Sequence, residues 1–274
     1  MSEIINQLLQ NAKLNIIEFD IHRRKEMETF NRELPFYVMS YHKAGEAKLR
    51  VGKETYNVKP GTAIIIPPHV EHDHFKESEE ESTFLWCHFT YNIGNVVDVM
   101  KLFNFPIVFE LRNCEEFEKS FKQFVNISNK GDFLSKTILA KAKSYEMFYL
   151  LLDSLISFED FENEPIKQNQ SASFLNMFTQ IITHPEKNIS LNELSKQFHL
   201  HPTYISNRFK AIFGESPIQI QKELKIEHSK KLLKSTDMTI TEISKSIGFS
   251  GVTGFSRLFK TYVGVSPTQY RTLK

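Results

Sequence analysis

Two cysteines in 274 residues, Cys87 and Cys114, stand apart without CxxC spacing, which excludes a disulfide framework and a zinc ribbon. Reduced structural thiols are expected instead. No run of 18 apolar residues occurs, so no membrane-spanning helix is expected. The opening MSEIINQLLQNAKLNIIEFD has no basic-then-apolar secretion signal, and the expected location is the cytoplasm. GxSxG, P-loop and GxGxxG motifs are also missing. With no catalytic constellation in view, the expectation is a protein that is not an enzyme, without a cofactor and without a metal.

What is present is an ordinary soluble composition, 41% hydrophobic and 24% charged, with room for one large or two ordinary domains. The net charge of +1 conceals an asymmetry. From Ser171 onward the chain carries 14 Lys and Arg against 7 Asp and Glu; the first 170 residues carry 20 against 26. A basic half fits a polyanionic partner, although a merely solvated basic face has the same charge.

The basic half contains an internal repeat. Leu191, Leu194 and Phe198 fall onto Ile240, Ile243 and Ile247 at an offset of 49. Ile205, Phe209, Gly214, Ser216 and Pro217 fall onto Phe255, Phe259, Gly264, Ser266 and Pro267 at an offset of 50, so one residue is inserted in the turn. Each copy opens on a capping box, Ser190 with Glu193 and Thr239 with Glu242, followed by apolar residues at helical spacing. A turn follows, through His199–His201 or Gly248–Ser250. Glycine suits a left-handed turn residue, and histidine suits it less well. Pro202 fits a first helical turn and Ser250 an N-cap for the second helix of its copy. That helix buries Ile205, Phe209 and Phe213, or Phe255, Phe259 and Val263, and ends at Gly214 or Gly264.

Helix, short turn and helix with a polar outer face is the geometry that places a recognition helix in a major groove. The outer faces carry Thr203, Ser206, Asn207 and Lys210 in the first copy, and Thr253, Ser256, Arg257 and Lys260 in the second. Arg reads guanine and Asn reads adenine through paired hydrogen bonds; Ser, Thr and Lys hold phosphates or supplement base contacts. Pro217 to Leu233 between the copies spans roughly 25 Å as a helix, suited to setting two readers about one DNA turn apart.

These residues resemble the C-terminal domain of the AraC/XylS family of bacterial transcription regulators. The resemblance covers about residues 174 to 272. It is densest in Ile243, Gly248-Phe249, Phe255-Ser256-Arg257, Phe259-Lys260, Gly264, Ser266-Pro267 and Tyr270-Arg271. It implies double-stranded promoter DNA as partner, with both recognition helices in successive major grooves and Thr203, Ser206, Asn207, Thr253, Ser256 and Arg257 facing the bases. Two departures stand out. The family commonly has Arg where Lys225 stands, so an ion pair in the linker helix is weakened or missing here. It has bulkier polar residues where Gly251 and Gly254 stand, which leaves fewer side chains to read bases.

In the acidic half, AKLRVGKETYNVKPGTAIIIPPHVEHDH alternates and then runs apolar, with turn signals at Gly52-Lys53 and Lys59-Pro60-Gly61. PFYVMSYH and STFLWCHFT add further strands, and short strands at close spacing indicate an antiparallel sandwich or barrel. Gly61 and Pro67 followed by His72 look like the second motif of the cupin barrel. Residues 15 to 110 resemble the sensor barrel usually joined to this DNA-binding domain. Three histidines in HVEHDH invite a metal reading. Metal-binding cupins take further ligands from an HxH motif upstream, and residues 43 to 60 contain no histidine. The rival reading of a metal-dependent cupin enzyme with an accessory DNA-binding tail therefore lacks its ligands. A pocket for a small effector is the expected use of the barrel, with His42, Arg50, His69, His72, Trp86 and His88 as candidate lining; each also fits an ordinary core or surface position.

Residues 113 to 161 read as helices with an apolar stripe of Tyr145, Phe148, Leu152, Leu155 and Ile156, to be buried on its own barrel or against a second subunit. The family resemblance favours dimerisation. Polar residues 162 to 173 read as a linker. The expectation is an α+β two-domain protein: a cupin-like antiparallel β-barrel over 1–112, a helical dimerisation or packing segment over 113–161, a linker over 162–173, and an all-α domain with two helix-turn-helix units over 174–274. Its expected function is sequence-specific transcription regulation, as an activator, in response to a small-molecule effector such as a sugar. The implied partners are promoter DNA, RNA polymerase and a second copy of the chain.

Overall fold

The computed structural model describes residues 10–94, 96–102, 105–128, 134–155 and 168–273. They fall into two compact units: residues 14–90 with the described part of 105–155, and 91–102 with 168–273, the latter joined by 10–13. The first is built on antiparallel sheets and the second on helices, the expected α+β architecture.

Among the described residues ten strands make two sheets. Strands β1 (Ala12–Arg24), β3 (Tyr37–Ala44), β6 (Thr62–Ile66), β8 (Ser82–Ile93) and β10 (Val108–Glu110) run in the order β1-β8-β3-β6-β10, with β9 (Val97–Asp98) on β8. Strands β2 (Glu28–Arg32), β7 (His72–Phe75), β4 (Ala47–Val51) and β5 (Glu54–Val58) form the second sheet, in that order. Turn glycines Gly52 and Gly61 take positive φ at the predicted turn positions, a backbone conformation that glycine adopts at the least cost.

Side-chain alternation then decides what faces the interior. On β3 the residues Val38, Ser40 and His42 pair with His88, Trp86 and Phe84 of β8, and all six share one face. Between the sheets, Val38, Leu49, Val58, Ile64, Ile66 and Phe84 form the core. The opposite face of the larger sheet is buried too. Helices α1 (Cys114–Ser128) and α2 (Leu134–Leu155) cover it through Tyr41 on Phe117 at 5.4 Å and Phe89 on Phe148 at 5.3 Å. Burial on both faces is why β6 reads as the unbroken apolar run TAIII.

The stripe expected on α2 is therefore divided. Phe148, Met147 and Leu151 are buried, whereas Tyr145 and Tyr149 are exposed with Leu134, Ile138 and Leu139. Ile156 lies outside the described residues, as do 162–167 of the polar stretch read as a linker; from Gln168 the chain is helical.

The helical unit contains α3 (Gln168–Thr183), α4 (Leu191–Phe198), α5 (Pro202–Phe213), α6 (Pro217–Ser235), α7 (Ile240–Ser246), α8 (Val252–Val263) and α9 (Pro267–Thr272). Both capping boxes form, with Ser190 and Thr239 each accepting from the backbone N–H three residues on and Glu193 and Glu242 answering. Ser250 is not the cap of α8. Gly251 occupies the N-cap in extended conformation with no side-chain bond, so that helix starts without the hydroxyl that the sequence seemed to offer. His201 unexpectedly caps α5, its Nδ1 accepting from Thr203 N–H at 3.3 Å. Each unit has its own apolar centre: Phe178, Phe209 and Phe213 in the first, Ile243, Ile247, Phe255 and Phe259 in the second. Cys87 and Cys114 are free thiols.

Candidate functional site

Helices α5 and α8 present the same polar face. Thr203, Asn207 and Lys210 are exposed and Ser206 is half-buried; Thr253, Arg257 and Lys260 are exposed and Ser256 is half-buried. The opposite faces, Ile205 with Phe209 and Phe255 with Phe259, are fully buried. An offset of 50 thus superimposes inside on inside and outside on outside. The spacer α6 is continuous over 19 residues, about 28 Å at 1.5 Å per residue.

What ties the two units together is Lys225 on α6, which is buried. Its ammonium donates to Asn188 Oδ1 at 2.5 Å and to the Glu186 carbonyl at 3.3 Å, and lies 5.3 Å from the Phe249 ring centre. Asn188 in turn donates to the Gly248 carbonyl at 2.8 Å. No carboxylate completes an ion pair with Lys225 among the described residues, and burial pulls its pKa down. The lysine that replaces the family's usual arginine is thus held by neutral oxygens and a ring face. Gly251 and Gly254 are exposed, and a Cβ at either meets no close contact, so their lack of side chains reflects no steric need.

In the barrel, a cavity of ≈ 230 Å³ opens between the sheets. Its apolar wall includes Met27, Val38, Ile64, Ile66 and Phe84, and its polar wall includes Arg32, Ser40, His72, His74 and His88. Three of the six predicted lining residues, His72, Trp86 and His88, meet here. The others do not. Arg50 alternates outward on β4 and pairs with Asp73. His69 sits in a left-handed turn, 68% exposed, against Glu33. His42 lies fully buried behind the wall, between Phe84 and His74.

The polar lining residues His22, Arg24, Thr29, Arg32, Ser40 and His74 escaped the sequence reading. Arg32 points inward because of a bulge. The pairing of β2 with β7 shifts register between Thr29 and Arg32, and Asn31 takes φ 52°, so Arg32 joins Thr29 on the inner face instead of alternating away. Asp73 Oδ1 holds this bulge by accepting from Asn31 N–H at 2.7 Å. Asparagine is the side chain that tolerates such a backbone best, and it was the available signal.

The electrostatics follow from burial. Burial lowers the pKa of Arg32, partly offset by Glu18, and lowers that of His72 and His88. His42 is pulled down to about 4 and His74 to about 3, in each case chiefly by burial. These four imidazoles are neutral at pH 7, and hydrogen bonds fix the tautomers of His72 and His88. A guanidinium can only donate, so His88 Nε2 accepts from Arg32 at 3.2 Å and Nδ1–H donates to Glu18. His72 Nδ1–H donates to the Val70 carbonyl at 2.9 Å. Trp86 Nε1–H donates to His22 Nδ1 at 3.2 Å. Among the described residues no group of three His, Cys, Asp or Glu is placed to hold a metal, and no helix is long and apolar enough to cross a membrane.

Comparison with known proteins gives two domain matches, an AraC-like ligand binding domain over residues 21–131 and a helix-turn-helix domain over 194–272. An uncharacterized HTH-type transcriptional regulator of Bacillus subtilis, YisR, is 23% identical, with 88% of both chains covered. The Msm operon regulatory protein of Streptococcus mutans is 25% identical over 86% of this chain and 84% of its own. The MmsAB operon regulatory protein of Pseudomonas aeruginosa is 23% identical over 86% and 75%. Among solved structures, ToxT from Vibrio cholerae O395 aligns over 96% of this chain and 97% of its own, at 14% identity and a TM-score of 0.35.

An AraC-like ligand-binding domain joined to a duplicated helix-turn-helix reader defines the class, a ligand-responsive, DNA-binding transcription regulator. The chain belongs to the AraC family of such regulators. Its relatives are named as regulators, not as enzymes.

Proposed function

We propose that the protein is a cytoplasmic transcription activator that contacts promoter DNA through Thr203, Ser206, Asn207, Lys210, Thr253, Ser256, Arg257 and Lys260. The observation that carries this reading is the identical exposure of the two polar quartets on helices joined by one unbroken spacer. The sensor extends over 1–112, the helical segment over 113–161, the linker over 162–173 and the reader over 174–274. RNA polymerase is the partner an activator must engage, and activation is the sign the family resemblance favours.

Binding measured by fluorescence anisotropy on selected duplexes tests the quartets. Arg257→Ala is expected to cost about 1–3 kcal/mol and to relax base preference at one position. Lys260→Ala is expected to weaken all sequences alike and to reduce the salt slope by about 1. Equal losses on every duplex from both variants would count against base reading by Arg257. A ligand-independent architectural binder would instead treat specific and random duplexes nearly alike, whereas a regulator separates them by 10³-fold or more, roughly 4 kcal/mol.

The barrel cavity holds the effector, a small molecule of sugar size, against His72, Trp86 and His88. Dimerisation runs through α2. Ile138, Ala142, Tyr145, Tyr149 and Leu152 recur at alternating four- and three-residue steps, the seam that a second copy of the same helix covers. Ile138 is 60% and Tyr149 62% exposed, which leaves that seam open to a partner. Ile138→Asp should therefore raise the dimer dissociation constant about 100-fold, roughly 3 kcal/mol, in sedimentation equilibrium. An unchanged constant would place the dimer contact elsewhere.

A further inference from the structure

The polar wall of the barrel cavity is more specific about charge than a generic small-molecule site. From the bulge at Asn31, which aims Arg32 inward, and the absence of any inward carboxylate among the described lining residues, we infer that the effector is a small organic acid whose carboxylate is taken by Arg32. This rests on the reading of the cavity as the effector site.

Three observations support the assignment. Arg32 has one hydrogen-bond partner among the described residues, the neutral acceptor His88 Nε2, and forms no ion pair there. Glu18, the carboxylate that acts on Arg32 from a distance, is 64% exposed and reaches His88 Nδ1, so water screens it. Asp73, which might otherwise answer the charge, is already committed to the Asn31 backbone and to Arg50. A half-buried guanidinium with free N–H groups facing a cavity is completed by a planar anion that accepts two parallel bonds.

The remaining walls describe the body of the ligand. Ser40 and His74 are among the lining residues, and their Oγ and Nε2 are buried without a hydrogen-bond partner among the described residues, a polar deficit within the wall itself. Ile64 and Trp86, which flank Ser40 on the larger sheet, supply apolar surface beside it, together with Ile66 and Phe84. The volume lies below the 300–1,000 Å³ typical of drug-sized ligands. Arg24 also lines the cavity but is exposed, so the half-buried Arg32 is the guanidinium that meets the occupant's carboxylate away from bulk water. An acid carrying hydroxyl groups or a small ring fits both walls; a sugar fits only in its acid form.

The test uses the full chain and Trp86, the single tryptophan, as reporter. Quenching and thermal shift are measured with benzoate against benzamide, hexanoate against hexanamide, and D-glucuronate against D-glucose. At least one acid is expected to bind tenfold or more tighter than its uncharged counterpart, and Arg32→Met is expected to reduce that preference below twofold. Equal binding of the uncharged partner, or a preference that survives Arg32→Met, overturns the assignment. Neutral ligands that bind and are lost with Ser40→Val would leave the cavity as effector site and remove only the anion. Silence of all six compounds would count against the cavity as effector site as well as against its charge preference.

Discussion

Acidification from pH 7 to 4.5 is expected to remove about 4 kcal/mol of stability from the sensor unit. The cause is the pair of rings His42 and His74, 5.6 Å apart in the barrel interior. In the unfolded chain each imidazole protonates near pH 6.5. In the folded chain burial holds His42 at about 4, helped by Lys76, and His74 at about 3, helped by His42, His72 and Arg32. Both folded values lie below the unfolded one. Stability is therefore complete above pH 6.5 and falls with pH below it, as the unfolded state takes up protons that the barrel refuses, until the folded values are reached. Each group then contributes up to about 1.4 kcal/mol per pH unit across that window.

Urea unfolding followed by Trp86 fluorescence at a series of pH values reads this directly, since the lone tryptophan lies in the sensor unit. A replacement isolates the cause. Neither nitrogen of His42 has a hydrogen-bond partner among the described residues, so His42→Leu removes two unsatisfied polar atoms along with the proton site. The variant should equal or exceed the wild type at pH 7 and lose less at pH 4.5. An acid limb unchanged by His42→Leu would assign the effect to other groups.

Much of this molecule was legible because its periodicities are strong. The capping boxes at Ser190 and Thr239, the helix-ending Gly214 and Gly264, and the buried Phe209 and Phe259 all follow from local pattern, and all appear where the pattern put them. The two polar faces proposed to contact DNA were legible as outer faces for the same reason: a buried stripe at helical spacing fixes which residues remain outside. The cavity was harder. Arg50 and Arg32 are both arginines on short strands, and plain alternation gives no ground for preferring Arg32. A one-residue bulge reverses its face, and that bulge depends on Asp73, forty-two residues away in sequence. His42 was placed on the correct face but not at the correct depth, because depth depends on His74 and Phe84 from strands that only the folded sheet brings together. The cap at Ser250 failed for a local reason: the N-cap of helix α8 falls one residue later, at Gly251.

The turn of the second unit carries the largest expected single-residue effect in the reader. Gly248 has φ +83°, and a Cβ there would overlap the carbonyl oxygen of Glu186. That carbonyl cannot retreat freely, because it accepts from Lys225 while Asn188 beside it donates to the Gly248 carbonyl. Gly248→Ala thus pays a left-handed backbone cost of about 1–2 kcal/mol and loosens two hydrogen bonds worth about 1 kcal/mol each. A loss of about 3–4 kcal/mol is expected, read as faster amide exchange in α7 and α8 by mass spectrometry and as weakened binding to specific duplexes. The equivalent turn in the first unit supplies the control. His199 takes φ 54° with an exposed side chain, so His199→Gly relieves strain with no packing lost and should stabilise that unit by about 0.5–1 kcal/mol. Opposite signs follow from adding a Cβ at one left-handed turn and removing it at the other; the loss at Gly248 beyond the backbone cost of about 1–2 kcal/mol is what the carbonyl of Glu186, and the buried lysine that holds it, contribute to joining the readers. Equal, small effects at both positions would mean that the two turns serve only their own units.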